Sequence, residues 1–171
     1  KLAVILLTAA AVPLLMECLS TSMPEDIRLA ALTALGAHPV GAARASWLFF
    51  DLARADAQPG VRARATDLLG RTGGRDAVSP LSRAVRTDPS PTVRVAAATS
   101  LGALQDEDAI PALRDAASLD LDPAVRAAAV EALGNYREEK LREFFQEVEK
   151  SDRDGQVQAA ARRQQWRIPA D

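Results

Sequence analysis

The stretch Val125-Arg126-Ala127-Ala128-Ala129-Val130-Glu131-Ala132-Leu133-Gly134 decides the fold, because it recurs. It aligns without gaps to Ile27-Arg28-Leu29-Ala30-Ala31-Leu32-Thr33-Ala34-Leu35-Gly36 and to Val61-Arg62-Ala63-Arg64-Ala65-Thr66-Asp67-Leu68-Leu69-Gly70. It aligns also to Val93-Arg94-Val95-Ala96-Ala97-Ala98-Thr99-Ser100-Leu101-Gly102 and to Val157-Gln158-Ala159-Ala160-Ala161-Arg162-Arg163-Gln164-Gln165-Trp166. The copies begin at residues 27, 61, 93, 125 and 157, offsets of 34, 32, 32 and 32. Counting from zero within a copy, apolar residues fall at positions 0, 4, 7 and 8 in most of them, one face of a helix. Met23-Pro24-Glu25, Gln58-Pro59-Gly60, Pro89-Ser90-Pro91, Asp122-Pro123-Ala124 and Asp154-Gly155 supply a turn or cap before each copy. Pro just inside the start and Gly at the end is the asymmetry expected of helix termini. These segments are the B helices.

About fifteen residues before each copy lies a second apolar segment, the A helix. It carries Val12-Pro13-Leu14-Leu15, Val78-Ser79-Pro80-Leu81 and Ile110-Pro111-Ala112-Leu113, and aromatic versions at Trp47-Leu48-Phe49-Phe50 and Leu141-Arg142-Glu143-Phe144-Phe145. The spacing predicts A helices over 11–20, 44–55, 76–86, 108–118 and 138–150. It predicts B helices over 25–36, 59–71, 91–104, 123–135 and 155–166. One domain of five units follows, at 11–40, 41–74, 75–106, 107–137 and 138–167. An isolated helix pair cannot bury its faces, whereas a stack can. Trp47, Phe49, Phe50, Phe144 and Phe145 are expected in the core.

Composition agrees with an all-α fold. The 171 residues are 48% hydrophobic and 26% charged, which excludes a largely disordered chain. Thirty-five are Ala while aromatics make up only 4%, poor material for a β-sandwich or barrel. A lone Cys18 excludes an intrachain disulfide and a multi-Cys zinc site, and a lone His38 excludes a His₂ metal site. His38, before Pro39 in the longest inter-repeat turn, reads as a loop residue. The net charge of −2 gives no general nucleic-acid footprint.

The chain resembles the HEAT-repeat family. The resemblance is carried by Ala109-Ile110-Pro111-Ala112-Leu113, Asp122-Pro123-Ala124-Val125-Arg126 and Ala132-Leu133-Gly134, and it extends over about residues 11–166. The tetratricopeptide Trp/Leu-Gly/Tyr pattern and the ankyrin Thr-Pro-Leu-His tetrapeptide are missing. The short unit is similar to the compact bacterial repeats found also in phycobilin lyases. The resemblance implies a right-handed α-solenoid of about five helix pairs, with B helices lining the concave face. The last copy departs, with Gln158 for Arg and Trp166 for Gly, as an atypical terminal cap would.

The same resemblance implies a ladder of Asp and Arg. Six residues before each Arg or Gln at position 1 stand Ser22, Asp56, Asp88, Asp120 and Asp152. Asp56, Asp88 and Asp120 are expected to pair with Arg28, Arg62, Arg94 and Arg126, within or between repeats. The alternative is an anion track of stacked Arg. Asp106-Glu107-Asp108 precedes an A helix, where acids suit the helix dipole. Arg162, Arg163 and Arg167 flank Trp166, as a solvated end or a nucleic-acid contact. Phosphate loops, nucleophile elbows and paired-carboxylate motifs are absent.

Positions 2, 6 and 10 of the B helices share a face turned from the core. They read Leu29/Thr33/Ala37, Ala63/Asp67/Arg71, Val95/Thr99/Ala103, Ala127/Glu131/Asn135 and Ala159/Arg163/Arg167. This row is small, mildly apolar and mixed in charge, suited to a peptide or helix of another protein rather than to nucleic acid. The expected function is a non-catalytic scaffold without a cofactor. The alternatives are a HEAT-like enzyme or tetrapyrrole-binding lyase-type protein, and a HEAT-like DNA-repair glycosylase. One His excludes the His-Glu iron scheme of deoxyhypusine-hydroxylase-like enzymes.

Leu2 to Met16 has only Thr8 polar, and Pro13 interrupts it, so it is short of the roughly 20 residues a bilayer span needs. It is expected to be helices of the stack, with Leu2, Ile5 and Leu6 packing on the first A helix and leaving an apolar end open to self-association. A targeting segment is the alternative. The expected location is the cytoplasm, or the periplasm or exterior if residues 1–17 derive from such a segment.

Overall fold

The computed structural model describes residues 11–136 and 139–167. Helices alternate along the chain as the repeat demands, and the described residues include no strand. Residues 11–17 are helical (α1). Then follow α2 (Glu25–Gly36), α3 (Pro39–Ala55), α4 (Pro59–Thr72), α5 (Val78–Thr87), α6 (Pro91–Leu104), α7 (Ile110–Leu119), α8 (Pro123–Leu133), α9 (Lys140–Ser151) and α10 (Gly155–Arg167). Single 3₁₀ turns, Gly74–Ala77 and Glu107–Ala109, lead into α5 and α7. The result is an all-α solenoid whose even-numbered helices form the B layer and odd-numbered helices the A layer.

Sequence sets these limits locally. Pro39, Pro59, Pro91 and Pro123 each open a helix at the first position, where a missing N–H costs nothing. Asp122 adds a side-chain cap, accepting from the Ala124 N–H at 2.8 Å. Every A helix from α3 onward stops at an Asp with extended backbone: Asp56, Asp88, Asp120 or Asp152.

Three expectations need correction. Helix α3 begins at Pro39, not near residue 44, so the extra two residues of the first offset lengthen a helix. The supposed longest turn is only Ala37-His38, and exposed His38 occupies the N-cap position of α3. Trp47 is 57% exposed. The buried stripe of α3 is Ala42, Ala45, Phe49 and Leu52, and Trp47 lies two residues from Phe49, on the other side of the helix. Phe49, Phe144 and Phe145 are buried, and Phe50 is half-buried. Leu2, Ile5 and Leu6 lie outside the described residues.

The two layers are packed unequally. From α4 onward successive B helices pack closely on one another, whereas α3 and α5 meet only briefly. Between α7 and α9 a cleft of 780 Å³ remains. Glycine explains the tight layer. A Cβ on Gly70 would lie 2.4 Å from Ser100 Cβ, and one on Gly102 would lie 2.7 Å from both Cα and Cβ of Ala132. Gly36 and Gly134 meet Leu68 and Gln164 in the same way. Position 9 of one repeat is thus the socket for position 7 of the next. These glycines were expected as helix terminators. Gly70 and Gly102 instead lie inside α4 and α6, and neither has a positive φ. A stack that is tighter on one layer curves toward it, which puts the B helices on the inner side.

Candidate functional site

Two features compete for functional attention, the Arg/Asp series and the exposed row on the B helices. The Arg/Asp series is built from the A–B turns. Arg62 donates from Nε and Nη2 to both carboxylate oxygens of Asp88, each at 2.9 Å. Arg94 does the same to Asp120 at 2.7 and 2.9 Å, and Arg126 to Asp152 at 2.7 and 2.9 Å. Arg28 makes a single bond, 2.8 Å, to Asp56. Every one of these bonds runs to the following repeat.

The remaining donors turn back to the same repeat. Nη1 of Arg62, Arg94 and Arg126 donates to the carbonyls of Asp56, Asp88 and Asp120, at 2.9, 2.9 and 3.0 Å. Asp56, Asp88 and Asp120 are therefore nodes, each with its side chain held by the preceding Arg and its carbonyl by the Arg of its own repeat. Oδ1 of each Asp, Asp152 included, also accepts the N–H two residues on, from Gln58, Ser90, Asp122 and Asp154, which closes the turn. The series ends at Gln158, which keeps the backward bond to the Asp152 carbonyl at 2.7 Å. Ser22 is exposed and has no part in it, since its N–H faces Ser20.

Electrostatics follow the geometry. The bond to Asp152 from Arg126 holds that carboxyl below the usual range, against the opposing effect of burial. Burial pushes Asp120 up, but the bonds from Arg94 and the Asp122 N–H, with the fields of Arg94 and Arg126, leave it lowered. Hydrogen bonds to their carboxylates raise Arg62, Arg94 and Arg126, with burial opposing. Arg62, Arg94 and Arg126 are bonded on all three guanidinium nitrogens and each meets a carboxylate at both oxygens, so their charge is spent on joining repeats rather than on an anion track.

The row presents a different face. Leu29, Ala63, Val95 and Ala127 are half-buried, one per repeat, and Thr33, Thr99, Arg71 and Arg163 are exposed. Its charges are largely spent internally. Arg64 bonds Asp67 at 2.8 Å, and Arg163 bonds Glu131, which also accepts from Gln164 at 2.5 Å. Among the described residues Arg71 makes no ion pair. Asn135 is partly withdrawn, its side-chain amide donating to the Gly102 carbonyl at 3.1 Å. Beside it Tyr136 donates to the Leu101 carbonyl at 2.8 Å, and burial, helped by Asp106, pushes its phenol up to about 12.

The other charged candidates are structural. Asp106 caps the 3₁₀ turn, accepting from the Asp108 N–H at 3.1 Å, and Arg75 bridges to Asp108 and Asp106 at 3.0 and 3.4 Å. Arg162 bonds Glu149 at 2.7 Å. Trp166 is 85% exposed beside them. Among the described residues no cluster of His, Cys, Asp and Glu could hold a metal ion, and no helix is long and apolar enough to cross a membrane.

A family model described as HEAT repeats matches residues 48–120 and again 85–164. Among solved structures, the complex of CpcE and CpcF of phycocyanin lyase from Nostoc sp. matches with a TM-score of 0.75 and 26% identity, over 92% of this chain. This chain spans 64% of that one. Human deoxyhypusine hydroxylase in complex with glycerol matches with a TM-score of 0.61 over 94% of this chain and 74% of its own. At 22% identity that likeness is one of fold alone. No curated protein sequence matches the chain.

Proposed function

Because the chain belongs to the family of HEAT-repeat proteins, we propose that it is a non-catalytic scaffold that docks a peptide or helix of another protein along its B helices. The observation that carries this is the row itself. Leu29, Ala63, Val95 and Ala127 expose small apolar side chains at one-repeat intervals, and the charges around them are mostly paired to one another. Such a surface offers apolar contact and shape at little cost in desolvated charge, as helix-in-groove recognition requires. The resemblance to a complex of two proteins supports a protein partner. Nucleic acid is disfavoured because Arg163 of the row and Arg64 beside it are paired with Glu131 and Asp67, which leaves only Arg71 and Arg167, at separate repeats, without a carboxylate partner among the described residues.

The test is a paired capture with the wild-type chain, with Val95→Glu in the row, and with Ser118→Glu on the A layer. A protein held by wild type and by Ser118→Glu but lost with Val95→Glu is expected. Equal retention by all three would overturn the docking row. A second reading, a lyase-type protein that holds a tetrapyrrole, rests on the likeness to the CpcE–CpcF complex. It predicts visible absorbance after incubation with a linear tetrapyrrole, whereas the scaffold stays colourless.

A further inference from the structure

In every repeat after the first, the side of the B helix that faces the preceding repeat is covered. At position 0, Val61, Val93, Val125 and Val157 are fully buried, and at position 7 Leu68, Ser100, Ala132 and Gln164 are buried as well. The same stripe of α2 is open. Ile27 is 41% exposed, Ala30 is exposed and Ala34 is only half-buried, and exposed Met23 stands just before them in the chain. Positions 0, 3 and 7 lie on one side of a helix, so these residues form one surface. Helix α1 extends it. Leu14 is 65% exposed, whereas Ala112, its counterpart in α7, is buried. Pro80, its counterpart in α5, lines the cleft toward α3. The first repeat thus presents the face of a repeat–repeat interface with no neighbour on it among the described residues.

The residues around this face limit what can cover it. The stripe itself carries no charge. Oε1 of Glu25 lies against Gly60 of the next repeat, Arg28 is held by Asp56, and Asp26 is on the side of Thr33. Glu17, exposed and one turn from Leu14, is at the rim. A further repeat in register is not matched to the face, because Ser22 stands where an Asp would take the Arg of a preceding repeat. The far end of the stack does not match it either. Gln158 replaces the donor Arg and Trp166 replaces the glycine socket. At position 5, where Leu32, Thr66, Ala98 and Val130 are fully buried, α10 carries exposed Arg162 bonded to Glu149. Head-to-tail stacking would therefore join an apolar surface to a polar one. An apolar, uncharged face meets its like in a two-fold arrangement, where each copy contributes the same patch.

We infer that the first repeats of two copies of this chain pack face to face, with Leu14, Ile27 and Ala30 of one on those of the other. Each copy then stands in for the other's preceding repeat. Burial of the exposed Leu, Ile and Met side chains drives the pairing. The small Ala30 and Ala34 let the two α2 helices approach, as glycine does between inner repeats. The docking row lies on another side of α2, at Leu29 and Thr33, so this contact does not depend on it.

Light scattering of the full chain over a range of concentrations tests the pairing. The mass is expected to rise from one chain to two and to stop there. Ala30→Glu, at an exposed position, is expected to hold the chain at one copy without changing the melting temperature measured at low concentration. Trp166→Glu, at the other end, is expected to leave the dimer intact. In a Cys18→Ser background a short bis-maleimide is expected to join two copies through Ala30→Cys but not through Trp166→Cys. A wild type that stays one chain at every concentration overturns the pairing, and a lowered melting temperature in Ala30→Glu would then mean that the same chain covers the face. Growth beyond two copies, or linkage of Ala30→Cys to Trp166→Cys, overturns the head-to-head arrangement.

Discussion

The inner repeats and the last one share a fold but not its two signatures. At position 1, Arg62, Arg94 and Arg126 grip the next repeat through both oxygens of an Asp, while Gln158 reaches back to Asp152 alone. At position 9, Gly70 and Gly102 receive the next helix, while Trp166 stands exposed. Helix α10 nevertheless runs over Gly155–Arg167 with Val157 and Ala161 buried, as Val61 and Ala65, Val93 and Ala97, and Val125 and Ala129 are in the inner repeats. The lesson is that Val and Ala at positions 0 and 4 build a repeat. The Arg and the Gly serve its neighbour.

That contrast can be broken by substitution, with the largest effect at the nodes. Arg94→Ala leaves the Asp120 carboxylate buried without its bidentate partner and is expected to lower stability by about 3 kcal/mol in denaturant unfolding. Gln158→Ala, which removes one neutral bond, is expected to cost about 1 kcal/mol. Equal losses would mean that the forward bonds add nothing. Gly102→Ala comes next. Ala favours a helix by about 1 kcal/mol, yet its Cβ would overlap the α8 backbone, so a net loss of about 1–2 kcal/mol is expected. Trp166→Ala, at the equivalent position, should stay within about 0.5 kcal/mol.

Acid sharpens the same comparison. Asp120 and Asp152 have folded-state values below their unfolded ones. Their contribution is present above the ordinary carboxylate range and is lost as pH falls through the depressed folded values. The wild-type chain should therefore lose stability on acidification below about pH 4, and Asp120→Asn should flatten that fall. The smallest effect is at Tyr136, whose phenol is raised to about 12. A raised group supports folding fully below the unfolded value near 10 and loses that support as pH rises toward the folded one. Tyr136→Phe should abolish this alkaline loss, read from melting curves between pH 9 and pH 11, at a neutral-pH cost of about 1 kcal/mol.

The repeat, the helix pairs and the Asp/Arg register were legible because each is periodic in the chain. A 32-residue offset brings Asp88, Asp120 and Asp152 into step with Arg62, Arg94 and Arg126. Direction was not legible, since spacing alone permits a bond within a repeat or across to the next. The glycine sockets were hidden for another reason. Gly70 looks like a helix stop in sequence, and only the crossing of α4 with α6 shows that Ser100 needs its missing Cβ. Trp47 misled because aromatic content suggests burial, while the helical phase set by Ala45, Phe49 and Leu52 turns it outward.

A double-mutant cycle on Arg94 and Asp120 tests most directly whether these residues couple one repeat to the next. Denaturant unfolding of Arg94→Ala, Asp120→Ala and the double variant gives the interaction free energy without the costs private to either residue. A coupling of about 2 kcal/mol or more is predicted, with the double variant close in stability to the worse single one. Losses that simply add, with coupling within about 0.3 kcal/mol of zero, would contradict it and leave the two residues as independent parts of their own repeats.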